Sequence, residues 1–433
     1  MALDKITTGI IADNAVSTAK VADDAVTNAK IGADAVGTTE IANDASISTS
    51  GNIATTGSGK LTLAGDFIPS TPLSSRNIII NGAMRIAQRG DSATDTGGAG
   101  FYHTADRMFN FDNCVAANFT RTTTAADGVL GTETGNTFGD KFQYSWKFAS
   151  NGTVSSIPAS DRVFFAYKME GRHVQHLAKG SAAAKPVTLS FWVKSTQTGN
   201  HQVNFVDNIN TRQIGAVYAV SSANTWEKKV ITFAGDTTGI ITDVVAVGMS
   251  LEWWLTTGTT YTTGAVPTSW EANVAADRNA GGAANYVGGS GRTWQITGIQ
   301  LEVGSNATPF EHKRDEEELL LCRRYYVEVP KAGTSPSFPS LQNGSTNHVT
   351  TFYLDVPLRA APTLVTSGTP TFCRHNGYQS MGGTTWGVGY TPTAISTSRP
   401  WVTVGGAGLS GGADMHAGMI YSGGATFKWN AEL

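Results

Sequence analysis

The chain has 433 residues, enough for two or three folding units. Hydrophobic residues at 40% and aromatics at 9% are sufficient for packed cores, so wholesale disorder is excluded. A net charge of -3, with only 15% of residues charged, offers no basic face for phosphate, and nucleic acid is not expected as a partner.

The first 45 residues repeat every ten. Ile11, Val21, Ile31 and Ile41 share one position, and Ala15, Ala25, Ala35 and Ala45 another, followed by Val16, Val26 and Val36. Asn14, Asp24, Asp34 and Asp44 precede the alanines. So few small apolar side chains cannot offset the entropy of ordering each unit, about 1–2 kcal/mol per residue. The stripe must be buried against neighbouring units or sister chains. A ten-residue spacing fits neither supercoil period of a coiled coil. The expectation is a shaft in which several identical chains wrap, with Ile11, Val16, Val21, Val26, Ile31, Val36 and Ile41 turned toward its axis. A flexible Ala/Thr/Asp linker is the competing reading, and the strict spacing argues against it. Residues 46–75, rich in Ser, Thr and Gly and carrying Pro69 and Pro72, read as a neck.

Residues 76–314 carry short apolar runs between turn signals: 77–80, 142–148, 163–167, 187–193, 202–206, 226–233, 244–251 and 294–301. Many alternate apolar with polar, as half-buried antiparallel strands do. That number of strands predicts a two-sheet sandwich of jelly-roll type. Only residues 167–179 have a modest helical pattern. Residues 315–326 place acids before bases around Leu319, Leu320 and Leu321, which predicts a short connecting helix. Leu319, Leu320 and Tyr326 are expected to pack where the body meets the tip. Residues 327–433 return to β patterning at 348–356, 363–365, 401–404, 419–421 and 426–429. The fold expected is thus all-β: shaft, central sandwich and a small C-terminal β domain.

Several segments resemble bacteriophage tail-fibre proteins. They lie at residues 77–90, 105–107, 189–194 and 224–228. The most specific are Ile299-Gln-Leu-Glu-Val-Gly-Ser-Asn-Ala-Thr-Pro-Phe310 and Glu318-Leu-Leu-Leu-Cys-Arg-Arg-Tyr-Tyr326. Arg359-Ala-Ala-Pro-Thr363 and Trp429-Asn-Ala-Glu-Leu433 are also similar to the C-termini of such fibres. The resemblance covers residues 76–326 and implies a sandwich similar to carbohydrate-binding modules. It further implies a homotrimer, assembled in the host cytoplasm, that attaches the virion to a host-surface glycan or protein. The N-terminus would dock on the tail or on another virion protein.

Candidate chemistry is sparse. Glu170, Asp207, Glu227, Asp243, Glu252 and Glu302 lie in or near strands, but nothing pairs them as a glycosidase needs. No nucleophile elbow or phosphate-binding glycine loop is present, so an enzyme is not expected. Cys114, Cys322 and Cys373 are too scattered for a disulfide framework or zinc site, and Cys322 reads as a buried small residue. His173 and His176 lack a third ligand and read as neutral surface histidines. Residues 207–210 lack the Gly and Glu of a calcium loop and read as a turn. No metal or cofactor is therefore expected. No run reaches the roughly 20 apolar residues that span a bilayer, and the first residues show no signal-peptide core. A soluble chain from a reducing compartment, not inserted in a membrane, is the expectation.

Recognition would rest on aromatic faces. Trp146, Trp192 and Trp294 sit in alternating strands and read as core. Trp253 and Trp254 are adjacent, so they point to opposite faces and one should be exposed as a glycan or interface ring. In the tip, Arg374, His375, Tyr378, Trp386, Tyr390 and His416 lie in glycine-rich segments read as receptor-binding loops. The function expected is non-covalent adhesion. A purely structural fibre or capsid decoration is the first alternative, and a surface-polysaccharide depolymerase the second.

Overall fold

The computed structural model describes residues 74–95, 99–114, 117–123, 141–329, 337–343, 347–367, 371–374, 377–380, 387–389, 401–407, 417–421 and 426–433. All belong to one unit, Pro69–Leu433. The repeat, with Ile11, Val16, Val21, Val26, Ile31, Val36 and Ile41, lies outside the described residues, as does nearly all of the neck.

The body begins with β1 (Ser92–Asp95), β2 (Ala99–Tyr102), β3 (Met108–Asp112), β4 (Ala117–Thr123) and β5 (Tyr144–Ser150). Next come β6 (Arg162–Glu170), a 3-10 helix (Gly171–Leu177), β7 (Val187–Ser195), β8 (Gly199–Asp207) and β9 (Arg212–Val220). It closes with β10 (Glu227–Phe233), β11 (Val247–Thr257), β12 (Glu271–Ala272) and β13 (Thr293–Val303). These strands form a six-stranded sheet, β1-β4-β5-β13-β7-β10, and a seven-stranded sheet, β12-β9-β8-β11-β6-β3-β2. All pairings are antiparallel. The chain passes repeatedly between the two sheets, so strands distant in sequence face one another.

Alternation builds the core. Val163, Phe165, Tyr167 and Met169 of β6, with Met249, Leu251, Trp253 and Leu255 of β11, are buried beneath Leu189, Phe191, Val193, Trp294 and Ile296 of the opposing sheet. Phe165 is the hub, with ring centroids 4.6 Å from Trp146, 5.4 Å from Trp253 and 5.6 Å from Trp294. Trp192 is buried as well, but on the outer side of the six-stranded sheet, in a second cluster with Phe142 and Trp226. A bulge between Thr297 and Gln300 serves this cluster. It puts Gly298 at φ +59°, where a Cβ would lie 2.5 Å from the Phe142 ring.

Two expectations are corrected. Residues 77–80 form a turn rather than a strand. The Asn77 side chain binds Ile79 N, Ile299 O and Leu301 N, and Asn81 and Met84 adopt φ values of 61° and 56°. A short polar side chain that satisfies its own neighbours competes with a strand ladder. The helical pattern of 167–179 resolves into the end of β6 and the 3-10 helix.

Helix α1 (Asp315–Arg323) occupies the connector. Cys322 and Tyr326 are buried as expected, but Leu320 is exposed at 43% and Leu319 only half-buried, and Glu318 and Tyr325 are buried instead. Beyond it run β14 (Tyr326–Val329), β15 (Ser337–Asn343), β16 (Asn347–Tyr353), β17 (Thr363–Ser367), β18 (Thr371–Arg374) and β19 (Gly377–Ser380). Strands β20 (Gly387–Gly389), β21 (Trp401–Ala407), β22 (Ala417–Tyr421) and β23 (Thr426–Asn430) complete the chain. One three-stranded sheet, β14-β23-β17, is joined by a seven-stranded one, β19-β18-β22-β15-β16-β21-β20.

The last residues return to the body. Glu432 forms an ion pair with Arg107 and lies 3.3 Å from Arg89. Arg359 donates to Ala431 O and Glu432 O at 2.7 Å and to Val245 O at 2.9 Å. Arg324 grips the fully buried Glu170 at 2.8 and 2.9 Å, and Tyr325 donates to the same carboxylate at 2.6 Å. Body and terminal strand are therefore joined by buried charge-assisted hydrogen bonds rather than by apolar packing alone.

Candidate functional site: an aromatic row on the outer sheet face

Strand register defines what the seven-stranded sheet turns away from the core. One outward row runs Gly100, Phe111, Phe164, Trp254, Gln202, Val217. The next runs Tyr102, Phe109, Ala166, Glu252, Asn204, Gly215. The rows are apolar and aromatic over β2, β3 and β6, and become amide-bearing over β8.

The connection between β11 and β13 covers the amide half. Gly215 N donates to Pro267 O at 2.7 Å and Asn204 Nδ2 to Arg278 O at 2.7 Å. Gln202 donates to Asp277 O and accepts from Gly281 N, both at 2.8 Å. With its amides satisfied, this half presents no free polar floor. The same connection corrects the expectation for Trp253 and Trp254. They do point to opposite faces, but both are buried: Trp253 in the core, Trp254 beneath Tyr261 at 5.3 Å with Arg278 over its ring at 5.7 Å.

Over β3 and β6 the face is partly open. Phe111 and Phe164 stack with an interplanar angle of 8° and centroids 5.4 Å apart, and Phe164 stacks on Trp254 at 5.0 Å. Phe109, Phe111 and Phe164 are each only half-buried. Their rim is polar. The Arg162 guanidinium lies 4.4 Å over Phe111 and donates to the Tyr261 hydroxyl. Glu252 pairs with Arg278 at 2.7 Å. Lys168 Nζ sits 3.7 Å over Phe109 and donates to Leu433 O at 3.0 Å; burial pulls its ammonium down to about 8. Flat apolar rings bordered by donors and acceptors can hold a sugar ring by stacking and edge hydrogen bonds, without bond-making chemistry. Among the described residues no group of three or more His, Cys, Asp or Glu is placed to hold a metal ion.

The residues expected in the tip fall differently. Arg374 ends β18 and Tyr378 lies in β19, a hairpin in which Cys373 pairs with Tyr378 and Arg374 with Gly377, so neither sits in a free loop. His375, Trp386, Tyr390 and His416 lie outside the described residues. His173 is half-buried, its Nδ1 3.5 Å from the Tyr325 hydroxyl; His176 is exposed. Burial holds both imidazoles below the usual range. The row of phenylalanines escaped the sequence reading, although Met108-Phe-Asn-Phe-Asp112 carries rings at alternate positions, which is the period of one strand face.

The chain matches no protein-family model and no curated protein. Part of it is similar to solved structures. An arabinose-bound GH51 α-L-arabinofuranosidase aligns at 10% identity over 46% of this chain and 23% of its own, with a TM-score of 0.26. The enzymatically active domain of tailspike protein 4 from bacteriophage CBA120 aligns at 10% identity over 52% of this chain and 21% of its own, TM-score 0.26. A family 61 carbohydrate-binding module in complex with β-1,4-galactotriose aligns at 8% identity over 53% of this chain and 99% of its own, TM-score 0.25. The chain thus spans less than a quarter of the first two proteins.

Proposed function

We propose that this protein is a homotrimeric bacteriophage tail fibre that holds the virion to its host by non-covalent contact with a surface glycan. The observation that carries the binding reading is the partly open Phe111–Phe164 stack with Arg162 at its rim. In this reading the two-sheet body is a jelly roll, the decapeptide repeat a trimeric shaft, and the N-terminus the point of attachment to a tail or other virion protein. Weak sugar contacts repeated on three linked chains gain by effective concentration, so a shallow platform suffices.

The test uses labelled full-length protein on an array of bacterial surface polysaccharides. Light scattering accompanies it, with three times the 45.5 kDa chain mass expected. Phe111→Ala with Phe164→Ala removes the stack at a half-buried face. Binding to the recognised glycan should fall at least about tenfold, the equivalent of 1.4 kcal/mol, while circular dichroism stays unchanged. A trimer in which the double variant binds as the parent does would move recognition away from this face. A monomer would remove the shaft.

A further inference from the structure

Lys179 follows the 3-10 helix, and its side chain is only 4% exposed. Its Nζ lies 2.5 Å from Asp207 Oδ2 and 3.0 Å from Asp236 Oδ2. It also donates to the carbonyl oxygens of Thr238 and Gly239, both at 2.9 Å. Four oxygens thus converge on an ammonium that has only three protons to donate. Two carboxylates and two backbone carbonyls, with no nitrogen or sulfur, form the donor chemistry of a hard divalent cation.

The cage is held by groups other than the ammonium. Asp207 Oδ1 accepts from Ile209 N and Asn210 N at 2.9 Å, and Oδ2 from Asn210 Nδ2 at 2.8 Å. Asp236 Oδ1 accepts from Thr238 N at 3.0 Å, and Oδ2 from Arg212 Nε at 2.7 Å. Both carboxylates are therefore aimed inward by their own turns. Their charges, less that of Arg212, leave one net negative charge once Lys179 is set aside.

We propose that the Lys179 ammonium is a tethered substitute for a bound calcium ion: it fills a divalent-cation cage at the ends of β8 and β10, and removing the side chain opens that cage to Ca2+. Calcium–oxygen distances of about 2.3–2.6 Å need the oxygens to close in by only a few tenths of an ångström. With one net negative charge the opened site belongs with weak sites, with a dissociation constant of about 10⁻⁴–10⁻³ M. Magnesium, smaller and reluctant to shed water, does not fit an irregular four-oxygen cage. The tethered cation makes the wild-type fold independent of calcium supply.

Terbium luminescence tests this directly, because the Trp270 ring lies 5.3 Å from Nζ and can sensitise an ion in the cage. Wild-type protein should give no sensitised signal and melt at one temperature in calcium or in chelator. Lys179→Ala should bind terbium, lose the signal to millimolar calcium or on adding Trp270→Phe, and melt lower in chelator than in calcium. Magnesium should not restore it. Lys179→Met, which refills the cage with an uncharged stem, should show neither luminescence nor a calcium response. Folding of the alanine variant only when calcium is present would also support the proposal. A folded alanine variant indifferent to terbium and calcium would overturn it, as would one that stays unfolded in calcium, or a wild-type protein that chelator destabilises.

Discussion

Acid should unfold this protein in part through one histidine. His201 lies on β8, is 0% exposed, and stacks on Tyr218 at 5.3 Å. Its Nδ1 faces Gly199 O at 3.1 Å and its Nε2 the Tyr286 hydroxyl at 2.6 Å; that hydroxyl also meets Ser195 Oγ at 2.5 Å. The neutral ring satisfies this chain by donating to Gly199 and accepting from Tyr286. Protonation can reverse the hydroxyl bonds but brings no counter-charge into the core, and burial pulls the imidazole down to about 4. The unfolded histidine, near 6.5, binds its proton first as pH falls. The folded state therefore holds fewer protons between pH 6.5 and 4, and stability is lost across that window. At about 1.36 kcal/mol per pKa unit, the loss is about 3 kcal/mol. Asp106, raised by burial to about 6, acts in the opposite direction over pH 6 to 4, so the wild-type profile alone does not isolate the effect. The measurement is the difference between wild type and His201→Gln in urea denaturation at pH 7 and pH 4. The variant should lose about 3 kcal/mol less on acidification. Equal losses in both proteins, or an NMR titration of His201 centred near 6.5, would refute the reasoning.

Two further changes probe the architecture. Gly298→Ala sets a Cβ 2.5 Å from the Phe142 ring at a φ of +59°, and positive-φ strain plus overpacking should lower stability by about 2–4 kcal/mol. The denaturation midpoint should fall with an unchanged slope. Glu432→Ala leaves the guanidinium of Arg107, 1% exposed, without its carboxylate, at a cost of about 3–5 kcal/mol. Limited proteolysis should then cut near β23 faster than in wild type, and equal cutting rates would show that this pairing does not hold the strand.

Period-two alternation is enough to locate β6, β7, β13 and the first part of β11, because each turns one face to a shared core; β7, β11 and β13 are buried on the other face as well. It also marked Trp146 and Trp294 as core. Strand β9 was less legible: Gln213, Ile214, Gly215 and Ala216 do not alternate cleanly, because part of its outer face lies beneath the Pro267 segment. The Trp253–Trp254 pair shows the limit most directly. Adjacency in a strand dictates opposite faces, but whether the outer ring meets water depends on Tyr261 and Arg278, which follow Trp254 by 7 and 24 residues with no periodic signal.

What this sequence determined by itself was the all-β character of the body and tip and the position of its main strands, because these depend on local periodicity. Tertiary structure alone decided which faces stay open, and that the Phe111–Phe164 stack and the Lys179 cage exist. Each brings together groups from separate strands and loops, and convergence of that kind is set by register and loop path rather than by any spacing along the chain.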